Sequence, residues 1–233
     1  MWIKFLKLKR ERELDSQYLE FIEKTYIEFG LPKLCELGEF YSGLKSKNKN
    51  DFDNNFHSSY VSYLNVFNNL FITNETFNKV NVHHWEKQNS LSYGDLLFTV
   101  SSENFNETGM TSVYKLKSDE PIYLNSFCFG FRFKDMTKIN LSFISHYFRS
   151  NEIRTEILKC VSGTTRFNLS KNKLKDIKIY LPPIEVQNYV GNILDKMYFM
   201  LNETLDTLPF EIKLRKQQYE YYRDKLLTFK NKD

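Results

Sequence analysis

The apolar positions of this chain change their period twice. Over residues 15–29 (DSQYLEFIEKTYIEF) and the residue before them, Leu14, Tyr18, Phe21, Ile22 and Phe29 share one face of a helical spiral. Asp15 or Ser16 can cap its start, and Gly30 with Pro32 stops it. The spacing predicts an amphipathic helix within residues 1–30. From Leu34 to about Leu181 the texture is mixed. Leu96 to Val100 and Ile122 to Lys134 read as strands. In the second, Phe127, Phe129, Phe131 and Phe133 alternate with Cys128, Gly130, Arg132 and Lys134, a period of two. Residues 140–149 and 151–161 read as helices, the first with Leu141, Ile144, Ser145 and Phe148 along one face and the second with Ile153, Ile157 and Val161. Leu174 to Leu181 reads as a last strand, ended by Pro182-Pro183. The polar stretches 45–55 and 101–109 read as loops.

Beyond Pro183 the chain changes again. Residues 184–229 hold one glycine and one proline and read as helix almost throughout. Val190, Leu194, Met197, Leu201, Thr204 and Leu208 step by four and three, which is the spacing of a coiled-coil seam. The seam resumes at Ile212, Tyr219, Tyr222, Leu226 and Phe229. The four-residue step from Leu208 to Ile212 is a stutter, and together with Pro209 it predicts a kink. Such a helix would be about 65 Å long. It cannot bury its stripe against itself, so it needs its own domain, a second copy or another chain as partner. The charged flanks around Lys213, Arg215, Lys216, Glu220, Arg223, Asp224 and Lys225 favour a partner outside the chain.

Length and composition narrow the class. At roughly 100–200 residues per domain, 233 residues allow one full domain and part of another. A hydrophobic share of 41%, with 21 Phe and 15 Tyr, is enough for a sizeable core. The net charge of +4 is too mild for a free-standing nucleic-acid binder, though a local basic patch fits it. Cys35, Cys128 and Cys160 form no CxxC pair, so buried free thiols are expected rather than a disulfide framework or a zinc site. The N-terminal apolar residues are interrupted by lysines, and no run reaches the ~18 apolar residues of a membrane span. A soluble, cytoplasmic protein is expected.

Catalytic patterns are missing. His57, His83, His84 and His146 make no HxxxH or HExxH pattern, and no GxGxxG, GxxxxGK[ST] or GxSxG occurs. Glu211-x-Lys213 matches part of a nuclease pattern by spelling, but it lies on the long helix where a solvated face is expected. Two segments point instead to nucleic acid. Lys45, Lys47 and Lys49 sit in a polar loop beside Tyr41, Phe52 and Tyr60, and loop lysines can neutralise phosphates. Gly163-Thr164-Thr165-Arg166-Phe167-Asn168-Leu169-Ser170-Lys171 follows a close-approach glycine with hydroxyl, guanidinium, amide and ammonium donors suited to phosphates or base edges. An ordinary solvated loop and a well-bonded turn are the bland alternatives.

The run Gln218 to Phe229 (QYEYYRDKLLTF), with Gln187, Ile193-Leu194-Asp195-Lys196 and Leu208-Pro209-Phe210-Glu211-Ile212, resembles the helical region of specificity subunits of type I restriction–modification systems. Gly163 to Ser170, Ile177-x-Ile179 and Leu181-Pro182-Pro183-Ile184-Glu185-x-Gln187 resemble the end of a target-recognition domain of the same family. Tyr93 to Thr99 with Ser101-Ser102-Glu103, and Leu37-Gly38-Glu39-Phe40 with Gly43, fit it as well. The likeness covers about residues 34–229. Val186 and Val100 depart from it, standing where relatives commonly carry an acidic residue and an arginine.

The resemblance implies an α+β fold: a mixed α/β target-recognition domain followed by a long, kinked C-terminal coiled-coil helix. The expected divisions are the helix of 1–30, the DNA-binding domain of 31–183, and residues 184–233 for dimerisation and methyltransferase docking. Complete relatives carry two recognition domains and two long helices, so a half-length subunit pairing with a second copy, or with another half-subunit, and reading a bipartite palindromic site, is expected. The chain itself would be non-catalytic and bind no cofactor. S-adenosylmethionine would belong to DNA adenine methyltransferase subunits, and ATP with magnesium to the restriction or motor subunits. Candidate DNA contacts are Lys45, Lys47, Lys49, Tyr60, Ser101, Ser102, Thr164, Thr165, Arg166, Asn168 and Lys171. Candidate partner contacts are Val190, Leu194, Met197, Leu201, Leu208, Ile212, Tyr219, Tyr222, Leu226 and Phe229. The rival reading is a truncated or regulatory helical protein that binds the complex without reading DNA, and a further one is a stand-alone nuclease.

Overall fold

The computed structural model describes residues 31–75, 77–203 and 209–228. The helix expected over 15–29 lies outside them, as do Leu208 and Phe229 and the side chain of Ile212. The chain opens with a one-turn helix α1 (Leu34–Leu37) and strand β1 (Gly38–Ser42). Strand β2 (Ser58–Val61), helix α2 (Tyr63–Asn68) and strand β3 (Phe77–Val80) follow. Next come β4 (Leu96–Thr99), β5 (Ser101–Ser102), β6 (Thr111–Val113), β7 (Ile122–Leu124) and β8 (Cys128–Phe133). Helices α3 (Leu141–Tyr147) and α4 (Asn151–Lys159) lead to β9 (Val161–Ser162), β10 (Phe167–Leu169) and a short α5 (Lys171–Leu174). Helices α6 (Ile184–Glu203) and α7 (Pro209–Leu227) complete the described chain.

An antiparallel sheet of order β1-β8-β4-β6 forms the centre, with Leu96 opposite Phe131 and Phe98 opposite Phe129. Both of its faces are covered, so β4 reads as a continuous apolar run rather than an alternation. Leu96, Phe98, Phe129, Phe131 and Phe133 point into the main core with Phe143, Phe148, Ile157 and Leu174. Leu97 and Cys128 point the other way, to Val61, Val66, Tyr114 and Leu124. That second core is closed by the sheet β3-β2-β7, whose β2–β7 pair is parallel. A third small sheet, β5-β10-β9, joins the 101–102 and 161–169 segments.

The expected strand 122–134 is two strands. Asn125 breaks it, its side chain accepting from the Phe127 N–H (2.8 Å), so Phe127 leaves the period-two pattern and is exposed. The expected strand 174–181 is a helical turn followed by an extended segment. That segment meets residues 32–35 around the Lys33–Lys178 bridge, where the Leu34 N–H donates to Ile177 O (3.0 Å) and the Ile179 N–H to Pro32 O (3.0 Å). Within the stretch expected as one loop at 101–109, Ser101 and Ser102 form a strand. Cys128 and Cys160 are buried free thiols as expected. Cys35 is exposed, because the one-turn α1 buries Leu34 and turns Cys35 outward.

The C-terminal helices pack at home. Gln187, 1% exposed, clamps the start of α6. Its Nε2 donates to Lys138 O (2.9 Å) and Pro182 O (2.7 Å), and its Oε1 accepts from the Asn140 N–H (2.9 Å). Gly191 faces α3 so closely that a Cβ there would lie 2.9 Å from the Phe143 nitrogen, so glycine permits this approach. Val186, Val190 and Leu194 are thereby buried in the main core. Helix α7 lies back against α6, with the Tyr219 ring 6.1 Å from that of Tyr198. Asp224 receives the side-chain amide of Asn151 at the start of α4 (2.6 Å).

The expected open seam is therefore corrected at five positions, while Leu201 and Tyr222 stay half-buried. Val190 and Leu194 are fully buried and Tyr219 is 8% exposed, while Met197 and Leu226 pack against the same core. The break around Pro209 lets the second helix fold back, and a hairpin of two helices can cover a stripe that one 65 Å rod could not. The large apolar side chains left exposed among the described residues of these helices are Phe199, Met200, Leu214 and Tyr221, off the seam.

Candidate nucleic-acid interface

The small sheet decides which polar groups meet. Pairing of Phe167 with Ser102 and of Asn168 with Ser101 brings the 101–103 segment beside the Gly163–Lys171 segment. Gly163 has φ +124°, in the region that favours glycine, and a Cβ on it would meet the Arg166 carbonyl oxygen. The turn so formed leaves Thr164, Thr165, Arg166 and Asn168 exposed. Arg166 donates to the Ser101 hydroxyl (Nη2–Oγ 3.3 Å), and its guanidinium lies 5.7 Å from the ring centre of Phe127. Asn168 donates to the Arg166 carbonyl oxygen (3.2 Å).

Tyr63, Ser101, Ser102, Glu103, Phe127 and Arg166 line an open cleft of about 430 Å³. The Tyr63 hydroxyl donates to the Ser101 carbonyl oxygen (2.9 Å), and burial pushes its pKa upward, so it stays a protonated donor. Next along this surface, the Lys171 ammonium donates to the Ser42 hydroxyl (2.8 Å) and stands 5.6 Å from the Phe129 ring centre. Burial, and then the charges of Lys45 and Lys175, press the pKa of Lys171 below its usual value. Lys45, Lys171 and Lys175 thus form a local concentration of positive charge that the overall balance does not show. An anion at this place is favoured because it relieves their mutual repulsion.

Four sequence-based expectations change here. Lys47 is not free for a phosphate: its ammonium meets Glu86 at 2.6 Å and its side chain is 3% exposed. Tyr60 is buried, edge-on to Phe52 at 5.2 Å, and supports the 45–55 loop from beneath. Ser101 is 7% exposed, so its hydroxyl acts mainly by positioning Arg166. Lys49 is exposed in a turn of its own and is not part of the cleft lining, whereas Lys45 joins the lysine patch. Ser102 and Arg166 line the cleft, Asn168 is bonded to Arg166, Thr164 and Thr165 are exposed in the same turn, and Lys171 stands at Ser42. Sequence reasoning missed Tyr63 and Phe127. The Asn125-Ser126 turn signal before Phe127 could have separated it from the strand; nothing local marks Tyr63.

Other arginines of the domain are structural. Arg149 donates to the carbonyl oxygens of Thr111, Val66, Phe67 and Asn69, and Arg154 to those of Asn106, Thr108 and Gly109. Burial lowers both to about 10, still charged at neutral pH. Among the described residues, no group of three or more His, Cys, Asp or Glu could hold a metal ion, and no helix is long and apolar enough to cross a membrane.

Comparison with known proteins shows the family of the chain. The family described as type I restriction modification DNA specificity domain matches residues 27–214. The chain is 27% identical over 205 residues to the specificity subunit of the type I restriction enzyme EcoR124I/EcoR124II of Escherichia coli, covering 84% of this chain and 47% of that one. It is 39% identical over 67 residues to a putative type I specificity subunit of Haemophilus influenzae, covering 29% of this chain and 17% of that one. Among solved structures, the HsdS subunit of Thermoanaerobacter tengcongensis superposes with TM-score 0.53 at 16% identity, over 96% of this chain and 54% of that one. The S subunit of M. genitalium does so with TM-score 0.50 at 16% identity, over 80% and 43%. The chain spans about half the length of the Escherichia coli relative and of the two solved structures. With a family match over most of its residues and a shared fold, the chain belongs to the type I restriction modification DNA specificity domain family.

Proposed function

We propose that this chain is a non-catalytic DNA sequence-recognition subunit of a type I restriction–modification complex. The observation that carries the reading is the meeting of Ser102, Arg166 and Asn168 at an aromatic-walled cleft, supported by the lysine group of Lys45 and Lys171. The residues come from distant parts of the chain and offer donors for phosphates and base edges. The recognition unit reads one half of a bipartite site. A second unit, in the simplest arrangement a second copy of this chain, reads the other half. Two-fold pairing would make the two halves palindromic.

Most of the described seam is used within the chain, so pairing falls to the exposed side chains of the two helices, Phe199, Met200, Leu214 and Tyr221. Methyltransferase subunits would bring S-adenosylmethionine, and motor subunits ATP and magnesium. The modest charge of +4 suits a protein whose DNA is gripped by a whole assembly.

The test is binding of labelled duplexes to the complex of this chain with its methyltransferase subunits over a range of salt. Lys45→Ala and Lys171→Ala should each weaken binding to every sequence and flatten the salt slope by about one. Unchanged affinity in the Lys45 and Lys171 variants would remove the patch from the DNA. A complex that assembles but shows no sequence preference would give the regulatory reading instead.

A further inference from the structure

Two loops next to this patch are braced against each other. The Lys45 backbone donates to Gln88 Oε1 (3.0 Å), and Gln88 Nε2 donates back to the Lys45 carbonyl oxygen (2.9 Å). The Asn81 N–H donates to the Asp51 carbonyl oxygen (2.8 Å). Between the loops runs the Lys47–Glu86 ion pair. Glu86 also accepts from Gln88 Nε2 (3.0 Å) and the His83 N–H (3.2 Å), and the Lys47 and Gln88 hydrogen bonds hold its carboxyl down at about 2. Leu44, Tyr60 and Val80 form a small core of their own, with Phe52 and Val82 against it.

This frame holds an apolar group out in water. Trp85 is 66% exposed. Its ring lies parallel to that of His83, 4.4 Å away and tilted by 5°, and edge-on to His84 at 4.7 Å. Burying an indole is worth more than leaving it wet, so a braced loop that presents one has the form of a docking group awaiting a surface. The surroundings favour a polyanion. Lys45, Lys49 and Lys87 are exposed on the same two loops. The Asp51 and Asp53 carboxylates are engaged with backbone N–H groups of their own loop. Lys45 belongs at once to this frame and to the Lys171 patch.

We propose that loops 45–51 and 81–89 form a second DNA-contacting element, in which the stacked His83–Trp85 plate meets base edges in the major groove. The proposal rests on the DNA-recognition reading above and adds to it a site for sequence discrimination. The indole N–H suits an acceptor on a base edge, and the aromatic edge suits a thymine methyl group. Lys45 and Lys49 flank the plate as phosphate contacts.

The experiment compares the wild-type complex with Trp85→Ala, Trp85→Phe and His83→Ala, each with its methyltransferase subunits. It reads affinity for the cognate duplex, affinity for random duplex, and the methylated motif. Trp85→Ala should lose tenfold or more on the cognate duplex, lose little on random duplex, and relax the motif at one position. Trp85→Phe should keep part of the discrimination and His83→Ala should fall between. Melting temperatures should not move, since the ring is exposed. An unchanged motif and affinity would overturn the proposal, as would an equal loss on all sequences. Loss of methyltransferase binding would assign the plate to a protein contact and overturn it too. If the wild-type complex itself shows no motif, the recognition reading fails, and the test says so separately.

Discussion

Single residues here divide into those that hold the frame and those left open to a ligand, and burial with bonding tells them apart. Asp95 is 1% exposed and accepts from four donors: Arg132 Nε (2.9 Å) and Nη2 (2.7 Å), the Tyr41 hydroxyl (2.5 Å) and the Ser92 N–H (2.8 Å). Burial, and then the Asp95 charge, hold the Tyr41 hydroxyl protonated well above its usual range. Asp95→Ala should cost about 3 kcal/mol, because it strands a buried hydroxyl and part of a guanidinium; denaturant melts check this. Gly163→Ala should distort the 163–166 turn and weaken DNA binding, with the sheet core intact by circular dichroism. The Gly94-Asp95 step within the family-like run Tyr93–Thr99 is thus a frame device, not a DNA contact. Sequence alone shows that such a run is special, but not which of the two purposes it serves.

At the scale of elements, one buried chain of hydrogen bonds ties α3 to both C-terminal helices. His146 is fully buried. Its Nε2 faces Asp195 Oδ1 (2.8 Å) and its Nδ1 faces the Tyr219 hydroxyl (2.8 Å). Asp195 Oδ2 accepts from the Ser142 hydroxyl (2.6 Å), and the Lys115 ammonium donates to Ser142 Oγ (2.9 Å). Burial opposes ionisation of Asp195, but its bonds to His146 and Ser142 outweigh it and keep its pKa below 3.8. Burial likewise dominates at His146 and sets its pKa below 6.5, against the pull of Asp195. The imidazole is therefore neutral at pH 7, donating from Nε2 to the carboxylate and accepting at Nδ1 from Tyr219. A folded-state pKa below the unfolded one means the folded chain binds fewer protons. This contribution is complete above about pH 6.5 and is lost as pH falls below it. Thermal melts should show stability falling from pH 6.5 toward 5, and His146→Gln should flatten that slope while lowering the melting temperature. The helices 141–147 and 151–159 and the strand 96–99 were legible because their apolar spacing is regular over several residues. Strands β1, β2, β3 and β6 were not: each is three to five residues long, and the pairing of β2 with β7 across some sixty positions leaves no local trace. The candidate site was half legible. The 163–171 run declares its donors in order, but its meeting with Ser102 and Phe127 depends on a two-residue strand.

At the scale of the whole molecule, the C-terminal hairpin separates stability from assembly. Leu194 is fully buried against the domain, so Leu194→Ala should cost about 2–5 kcal/mol and leave the oligomeric state unchanged. Tyr221 is 60% exposed, so Tyr221→Asp should spare the melting temperature and weaken pairing in light scattering. The opposite pattern would return the seam to the interface. Heptad spacing in a sequence shows only that a stripe must be covered, not by what; Gln187 and Gly191 fix the start of α6 against the domain. The central claim is that this chain reads half of a DNA site. It is tested most directly by expressing the chain with its methyltransferase subunit in a host free of DNA methylation and mapping modified adenines by long-read sequencing. The account predicts a bipartite palindromic motif; an asymmetric motif would contradict pairing of identical readers, and no motif from a stable complex would contradict DNA recognition itself.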